Sequence, residues 1–335
     1  MKTFRSSAFS EVLRSHPPSS TSSRPLPCVG LWSPASLNGS LRRIDTNLPE
    51  ARTTREYLRL IGVPELPPRT SPFDPGYDPV TFAAHLEQSS HLISIVKISM
   101  ACWIIANEAS TREKVAAAKK VGVPTVTGGG PFEVAVAQGQ LGAYLDLCAE
   151  LGFTRIECGE GFTEMTLPPN EVVEEASRRA LDVQFELGKK HGGAFGAETV
   201  EGLIEQGKKW LAAGAKQLVV EARESADEVG LFAGGGDLNR ALADRLAEAF
   251  GLEIVVFEAP NKPSQFAFLS HFGPEVHLCN VRLEELLRVE IYRRGLHSDA
   301  FEQEKLRPRL PTPARPGTAP RAASAIQASS EPPST

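Results

Sequence analysis

Glu157, Glu186, Glu221 and Glu258 each close a short apolar run, and Asp74 and Asn280 close two others. Carboxylates brought to one place repel one another unless a cation or basic group neutralises them. Hard oxygen donors of this kind suit Mg²⁺ better than zinc. Cations lie close by in sequence. Lys97 ends the apolar run before it, Lys189 and Lys190 follow Glu186, and Arg223 follows Glu221. Lysine and arginine side chains offer sites for an anionic substrate. An amine beside carboxylates can also give a proton to a carbanion-like intermediate. The glycines at 128–130 let backbone amides approach an anion. Together these residues predict a centre for a divalent metal and a multiply charged anion. Taken singly, each has a plainer reading as a solvated rim residue or surface ion pair.

Other chemistries lack their residues. The five cysteines are scattered with no CxxC pair, no histidines fall at metal-ligand spacing, and no Gly-x-Ser-x-Gly elbow occurs. A disulfide framework, a structural zinc site and covalent hydrolase chemistry are therefore not expected. His297 is the one histidine near a suspected active segment.

The elements that would position these side chains alternate along the chain. Eight β-rich runs fall at Thr70–Asp74, Leu92–Ile98, Thr125–Gly128, Arg155–Cys158, Val183–Leu187, Gln217–Glu221, Glu253–Glu258 and Val276–Val281. Helical patterns lie between them, at Pro79–Glu87, Ser110–Val121, Val134–Leu151, part of Pro169–Lys190, Thr199–Ala213, Leu238–Phe250, Lys262–Phe272 and Leu283–Arg294. Gly152 and Gly214 stand where a left-handed helix cap precedes a strand. Repeated β-then-α units imply parallel pairing through right-handed crossovers. The fold class is α/β, a (β/α)8 TIM barrel, with its chemistry at the C-terminal ends of the strands. An open doubly wound sheet would carry a glycine-rich loop after its first strand, and none is present.

The barrel is expected over 52–305. Residues 1–51 are rich in Ser, Pro and Arg, and 306–335 contain seven prolines. Both read as disordered extensions. The first is also Arg-rich and acid-poor, as a transit peptide would be. With 41% hydrophobic and 23% charged residues and a net charge of −5, the 335-residue chain has globular composition and no broad basic face. Nucleic acid is not an expected partner. No run approaches the roughly 20 apolar residues of a membrane span, so no membrane is expected either. The scattered cysteines fit a reducing, cytoplasmic location. Outer helices leave a homo-oligomer open.

Several segments, in register, resemble the phosphosulfolactate synthase family. They are Asp74-Pro-Gly76, Gly128-Gly-Gly-Pro-Phe-Glu133, Glu186-Leu-Gly-Lys-Lys190, Val219-Val-Glu-Ala-Arg-Glu-Ser225 with Gly230-Leu-Phe232, Val256-Phe-Glu-Ala-Pro260 with Lys262 and Gln265, and Arg293-Arg-Gly-Leu296 with Asp299 and Phe301. The resemblance spans roughly 69–305. It implies a (β/α)8 barrel that adds sulfite to phosphoenolpyruvate, with Mg²⁺, giving (2R)-phosphosulfolactate on the way to coenzyme M or sulfolactate. It also implies site roles. Lys189 or Lys190 protonates the carbon beside the carboxylate, with Glu186 at its side. Glu157, Glu221 and Glu258 sit on the metal side. Lys97, Arg223, Lys262, Gln265 and Arg294 hold substrate anions. Two stretches depart from the family pattern. Lys97-Ile-Ser-Met-Ala-Cys-Trp103 replaces a small Gly- and Thr-containing loop, so Met100 and Trp103 are expected to narrow the mouth. His297-Ser298 replaces an Arg-Gly and is expected to remove a cation. Two other readings go with the resemblance. One is an enzyme acting on a related enol phosphate or with another nucleophile. The other is a non-catalytic barrel like the plant heat-stress-associated proteins of about 32 kDa.

Overall fold

The computed structural model describes residues 53–310. The extension expected over 1–51 and the tail beyond 310 lie outside the described residues. Eight parallel strands close into a barrel in sequence order: β1 (Thr70–Asp74), β2 (Val96–Ile98), β3 (Thr125–Thr127), β4 (Arg155–Gly159), β5 (Asp182–Leu187), β6 (Gln217–Val220), β7 (Val255–Glu258) and β8 (His277–Arg282), with β8 pairing β1. Ahead of the barrel stands α1 (Thr54–Leu60). The crossovers carry α2 (Pro79–Ser89), α3 (Cys102–Ile105), α4 (Glu108–Lys120), α5 (Gly129–Ala137), α6 (Leu141–Leu151), α7 (Pro169–Ser177), α8 (Ala197–Ala213), α9 (Arg240–Phe250) and α10 (Lys262–Phe272). After β8 come α11 (Leu286–Arg293) and α12 (Ser298–Phe301). The expected closed α/β barrel is thus the fold.

Local chemistry sets the helix limits. Before α2, Asp78 accepts from the amides of Val80 and Thr81, and Pro79 supplies a fixed φ at the first helical position. Asn261 and Ser264 form a reciprocal cap on α10. Gly152 (φ 88) and Gly214 (φ 112) end α6 and α8 in the left-handed region, as expected.

Burial follows the two periods of the sequence. On α8, Val200, Ile204, Gly207 and Trp210 recur every three to four positions and form its buried face. Trp210 stacks on Phe185, which points outward from β5, at 4.2 Å between ring centroids. Trp210→Ala would cost about 3–5 kcal/mol. On β5 the alternate residues Gln184 and Glu186 point into the barrel instead. Each strand therefore packs its apolar face on the helices and lends its other face to the interior.

Most boundaries shift by one or two residues, and four differences are larger. The run at 92–98 is split. Ser90–Leu92 form a 3-10 turn, and only Val96–Ile98 pair as strand. The helix expected over 134–151 is two helices, parted at Gly139 (φ 65). The unforeseen α1 begins with Thr53 and Glu56 in a capping box. Residues 306–310 are packed rather than free. Leu306 is buried in the main core cluster, and the Arg309 amide donates to the Gly62 carbonyl at 3.1 Å. The barrel domain thus runs past 305.

Candidate active site

The strand ends open on a cavity of about 1470 Å³ at the barrel mouth. Side chains from β2, β4, β5, β7 and β8, and the residues just after β5 and β6, line it. Lys97, in β2, is buried. Its ammonium lies 2.8 Å from Glu157 Oε2 and donates to Asn280 Oδ1 at 2.9 Å. Glu157 also accepts from Gln184 Nε2 at 2.8 Å and from the Gly129 amide at 3.1 Å. So this buried carboxylate is fully paired, which a charge inside a barrel requires.

A second cluster adjoins the first. Lys190 donates to Glu186 Oε1 at 2.9 Å and to Glu221 Oε2 at 2.8 Å. The Ala222 amide donates to Glu258 Oε2 at 2.8 Å, and Asn280 Nδ2 donates to Glu258 Oε1. The Arg223 amide reaches both Glu221 Oε1 (2.6 Å) and Glu258 Oε2 (3.2 Å). That double contact holds Arg223 in the left-handed region (φ 55), which a long side chain rarely adopts. Asn280 (φ 52) is an extra residue in β8. Ser71 pairs with Cys279 and Pro72 with Val281, so the bulge turns Asn280 into the mouth.

Proton affinities follow from this packing. Burial pushes Glu186 well above the usual carboxylate range, and the adjoining Glu221 adds to it against Lys190. Burial also opposes ionisation of Glu221, but hydrogen bonds from Glu186 and Lys190 and the Lys190 charge lower it to about 2. Within the pair, burial thus favours the neutral form of Glu186, and Lys190 favours the charged form of Glu221. Burial and the charge on Glu221 push Glu258 up to about 8, opposed by Lys97 and Lys190. Both lysines resist deprotonation. Burial works against their charge, but Glu157 holds Lys97, and Glu186 and Glu221 hold Lys190, well above the ordinary value.

The sequence-predicted residues separate into two sets. Lys97, Glu157, Glu186, Lys190, Glu221, Arg223 and Glu258 all line the mouth. Lys189 is exposed and does not line the cavity. Three expected anion-holders lie elsewhere. Lys262 sits over the Phe266 ring and 3.7 Å from Asp299, on the outer surface. Gln265 is buried between α10 and the 3-10 turn after β8, donating to the Ala259 carbonyl and Glu285. Arg294 ends α11 and pairs with Glu290, whose other oxygen meets Thr70 and Arg293 at the start of β1. Helix α11 has carried it to the far end of the barrel. Trp103 does not narrow the mouth, because it is buried against Tyr144 and Phe153. His297 packs on Phe266 and Tyr292, away from the cavity.

Several supporting residues gave little sequence signal. Lys114 on α4 donates to the fully buried Asp74 at 2.7 Å. Its hint was its place in the stripe Thr111, Lys114, Val115, Ala118. The buried Glu133 accepts from the amides of Gly161, Phe162 and Thr163 and from the Thr163 hydroxyl, pinning the loop after β4. Gly128 lets the loop after β2 pass close, since a Cβ there would lie 2.6 Å from the Met100 amide nitrogen. Gln184 and Arg282 complete the set.

Of the carboxylates expected on the metal side, Glu157 is taken up by Lys97, Gln184 and the Gly129 amide, while Glu221 and Glu258 adjoin Glu186 and carry hard oxygen donors. Among the described residues, no three His, Cys, Asp or Glu side chains are grouped as a ready-made metal site. Lys190 stands between two of the three carboxylates. No helix among the described residues is long and apolar enough to cross a membrane.

Residues 68–299 match the family model described as (2R)-phospho-3-sulfolactate synthase (ComA). The chain is 32% identical over 232 residues to a phosphosulfolactate synthase of Methanocaldococcus jannaschii, covering 68% of this chain and 91% of that one. It is 27% identical to the phosphosulfolactate synthases of Methanothermobacter thermautotrophicus, over 71% of this chain and 92% of that one, and of Bacillus subtilis, over 71% and 97%. The match covers every strand and the whole mouth, so the chain belongs to the phosphosulfolactate synthase family, a family of lyase-type enzymes.

Proposed function

We propose that this protein joins sulfite to phosphoenolpyruvate, forming (2R)-phosphosulfolactate. The observation that carries this reading is the Lys190 ammonium set between Glu186 and Glu221 at the mouth of a barrel of this family. The sulfur lone pair attacks the methylene carbon, a carbon–sulfur bond forms, and the π electrons move toward the carbon bearing phosphate and carboxylate. That carbon then takes a proton on one face. Lys190 is the proton donor, since it is charged, close to the carboxylates and within the cavity. Lys189, exposed outside the cavity, is not placed to do this.

Both substrates are anions and repel each other. Lys97, Arg223 and Arg282 border the cavity and offset that repulsion. Burial and the adjoining Glu221 favour the neutral form of Glu186 while no cation is bound, which limits the negative charge at the mouth.

The donor chemistry of Glu186, Glu221 and Glu258 fits Mg²⁺, which would compete with the Lys190 ammonium for the same oxygens. Mg²⁺ held there would act as a Lewis acid toward the charge developing on the substrate carboxylate. Glu157, already satisfied by Lys97, Gln184 and Gly129, would serve that set by holding Lys97 in place.

The test is sulfite consumption with phosphoenolpyruvate and Mg²⁺, by the full chain and by Lys190→Ala and Glu221→Gln. Turnover by the full chain, lost by at least about 100-fold in Lys190→Ala, supports the reading. Folded protein without turnover refutes it, and turnover unchanged in both variants refutes the assignment of Lys190.

A further inference from the structure

The mouth cavity is larger and more apolar on one side than two small anions require. Its volume is about 1470 Å³, whereas pockets that hold drug-sized ligands are about 300–1,000 Å³. The charged lining groups are Lys97 on β2 and residues on or just after β4 to β8. The loop after β2 with α3, α5 and the loop after β4 form an apolar arm of the same cavity. Met100, Ile104, Val134 and Phe162 line this arm, each about half exposed (57, 44, 51 and 49%). The lining residues from Ser99 to Tyr144 include no charged side chain, and Gln140 and Tyr144 are the last of them. The Tyr144 hydroxyl lies 3.0 Å from the Thr127 hydroxyl. Met100 holds a left-handed backbone (φ 47) where it borders the cavity. Such a conformation in a non-glycine residue is a local cost that the surrounding structure must impose.

Large exposed apolar side chains scattered singly need no explanation, but a cluster continuous with a charged basin does. We propose that the arm receives the apolar body of an amphipathic anion whose charged head lies in the basin. The position of the head rests on the function proposed above. The apolar body rests on the arm alone. The substrate class implied is an enol phosphate, or a partner anion, that carries an apolar substituent. Such a ligand fills both halves of the cavity, whereas phosphoenolpyruvate and sulfite fill only the charged half.

The test is calorimetric binding of n-alkyl phosphates, from ethyl to hexyl, to the full chain, with phosphoenolpyruvate–sulfite turnover measured on the same preparation. Affinity should rise about two- to fourfold with each added methylene that enters the arm. Ile104→Gln and Val134→Gln should each flatten that rise. An affinity independent of chain length, no binding by any member of the series, or a rise that both variants retain would overturn the proposal. So would a flat series in a chain that self-associates and is dissociated by Ile104→Gln, because the wall would then face a second copy. A rise without turnover keeps the arm and refutes the proposed reaction. Turnover without a rise does the reverse.

Discussion

The ammonium of Lys97 and the carboxylate of Glu157, 60 positions apart in the chain, meet at 2.8 Å inside the barrel with both side chains almost wholly buried. Lys97 lies in β2 and Glu157 in β4, which both pair with β3, so the curved sheet brings them together across that strand. Removing one partner leaves the other charged and desolvated. Lys97→Met should therefore destabilise by about 3–5 kcal/mol in denaturant unfolding. The double variant Lys97→Met/Glu157→Gln should recover much of that loss while remaining inactive. A single variant as stable as the parent would contradict the pairing.

Glu258 gives the site a pH signature. Its carboxyl is raised to about 8 in the folded protein from an ordinary value of 4.5. A raised carboxyl favours folding below its unfolded value, and that contribution is lost as pH rises toward 8. Glu258→Gln has no such loss. Its stability relative to the parent should thus improve between about pH 5 and about pH 8 and level off above. Urea unfolding across that range checks it, and a pH-independent difference would contradict it. Glu221, lowered to about 2, acts oppositely. Its contribution is present above 4.5 and is lost as pH falls toward 2.

Glu133 anchors the loop that borders Lys190, whose amide donates to the Gly161 carbonyl at 2.9 Å. Glu133→Ala orphans three amides and a hydroxyl. It should cost about 1–3 kcal/mol and expose residues 160–166 to limited proteolysis. Proteolysis unchanged from the parent would show that the loop holds itself.

The packed segment after α12 makes a further prediction. Ending the chain at Lys305 rather than Leu310 removes Leu306 from the core and the Arg309–Gly62 hydrogen bond. The shorter chain should be less stable by about 2–3 kcal/mol in thermal or denaturant unfolding. Equal stability would mean that the segment adds nothing.

Much of this architecture is legible in the sequence because it is periodic. The run Thr70–Asp74 is strand β1 to the residue, and Lys262–Phe272 is helix α10. The acidic strand ends could be read because inward positions alternate, and a polar residue at the end of an apolar strand must face the mouth. What could not be read depends on distance and on helix length. Nothing near Lys114 announces Asp74, forty positions earlier. Arg294 follows β8 closely in sequence, but an intervening helix takes it to the opposite end of the barrel. Lys189 and Lys190 are equivalent as letters. Only the turn after β5 decides that Lys190 reaches the carboxylates and Lys189 faces solvent. Leu306 stood in a proline-rich context that hid a buried anchor.

The central claim is a carbon–sulfur bond made at this mouth with Lys190 as proton donor. Its most direct test is carbon NMR of phosphoenolpyruvate labelled at the methylene carbon, incubated with sulfite, Mg²⁺ and the full chain in deuterium oxide. The account predicts a sulfonated methylene next to a carbon carrying a single deuteron of one configuration, and no such product from Lys190→Ala. A folded protein that leaves the label in phosphoenolpyruvate, or a Lys190→Ala variant that forms the same product at the same rate, would contradict it.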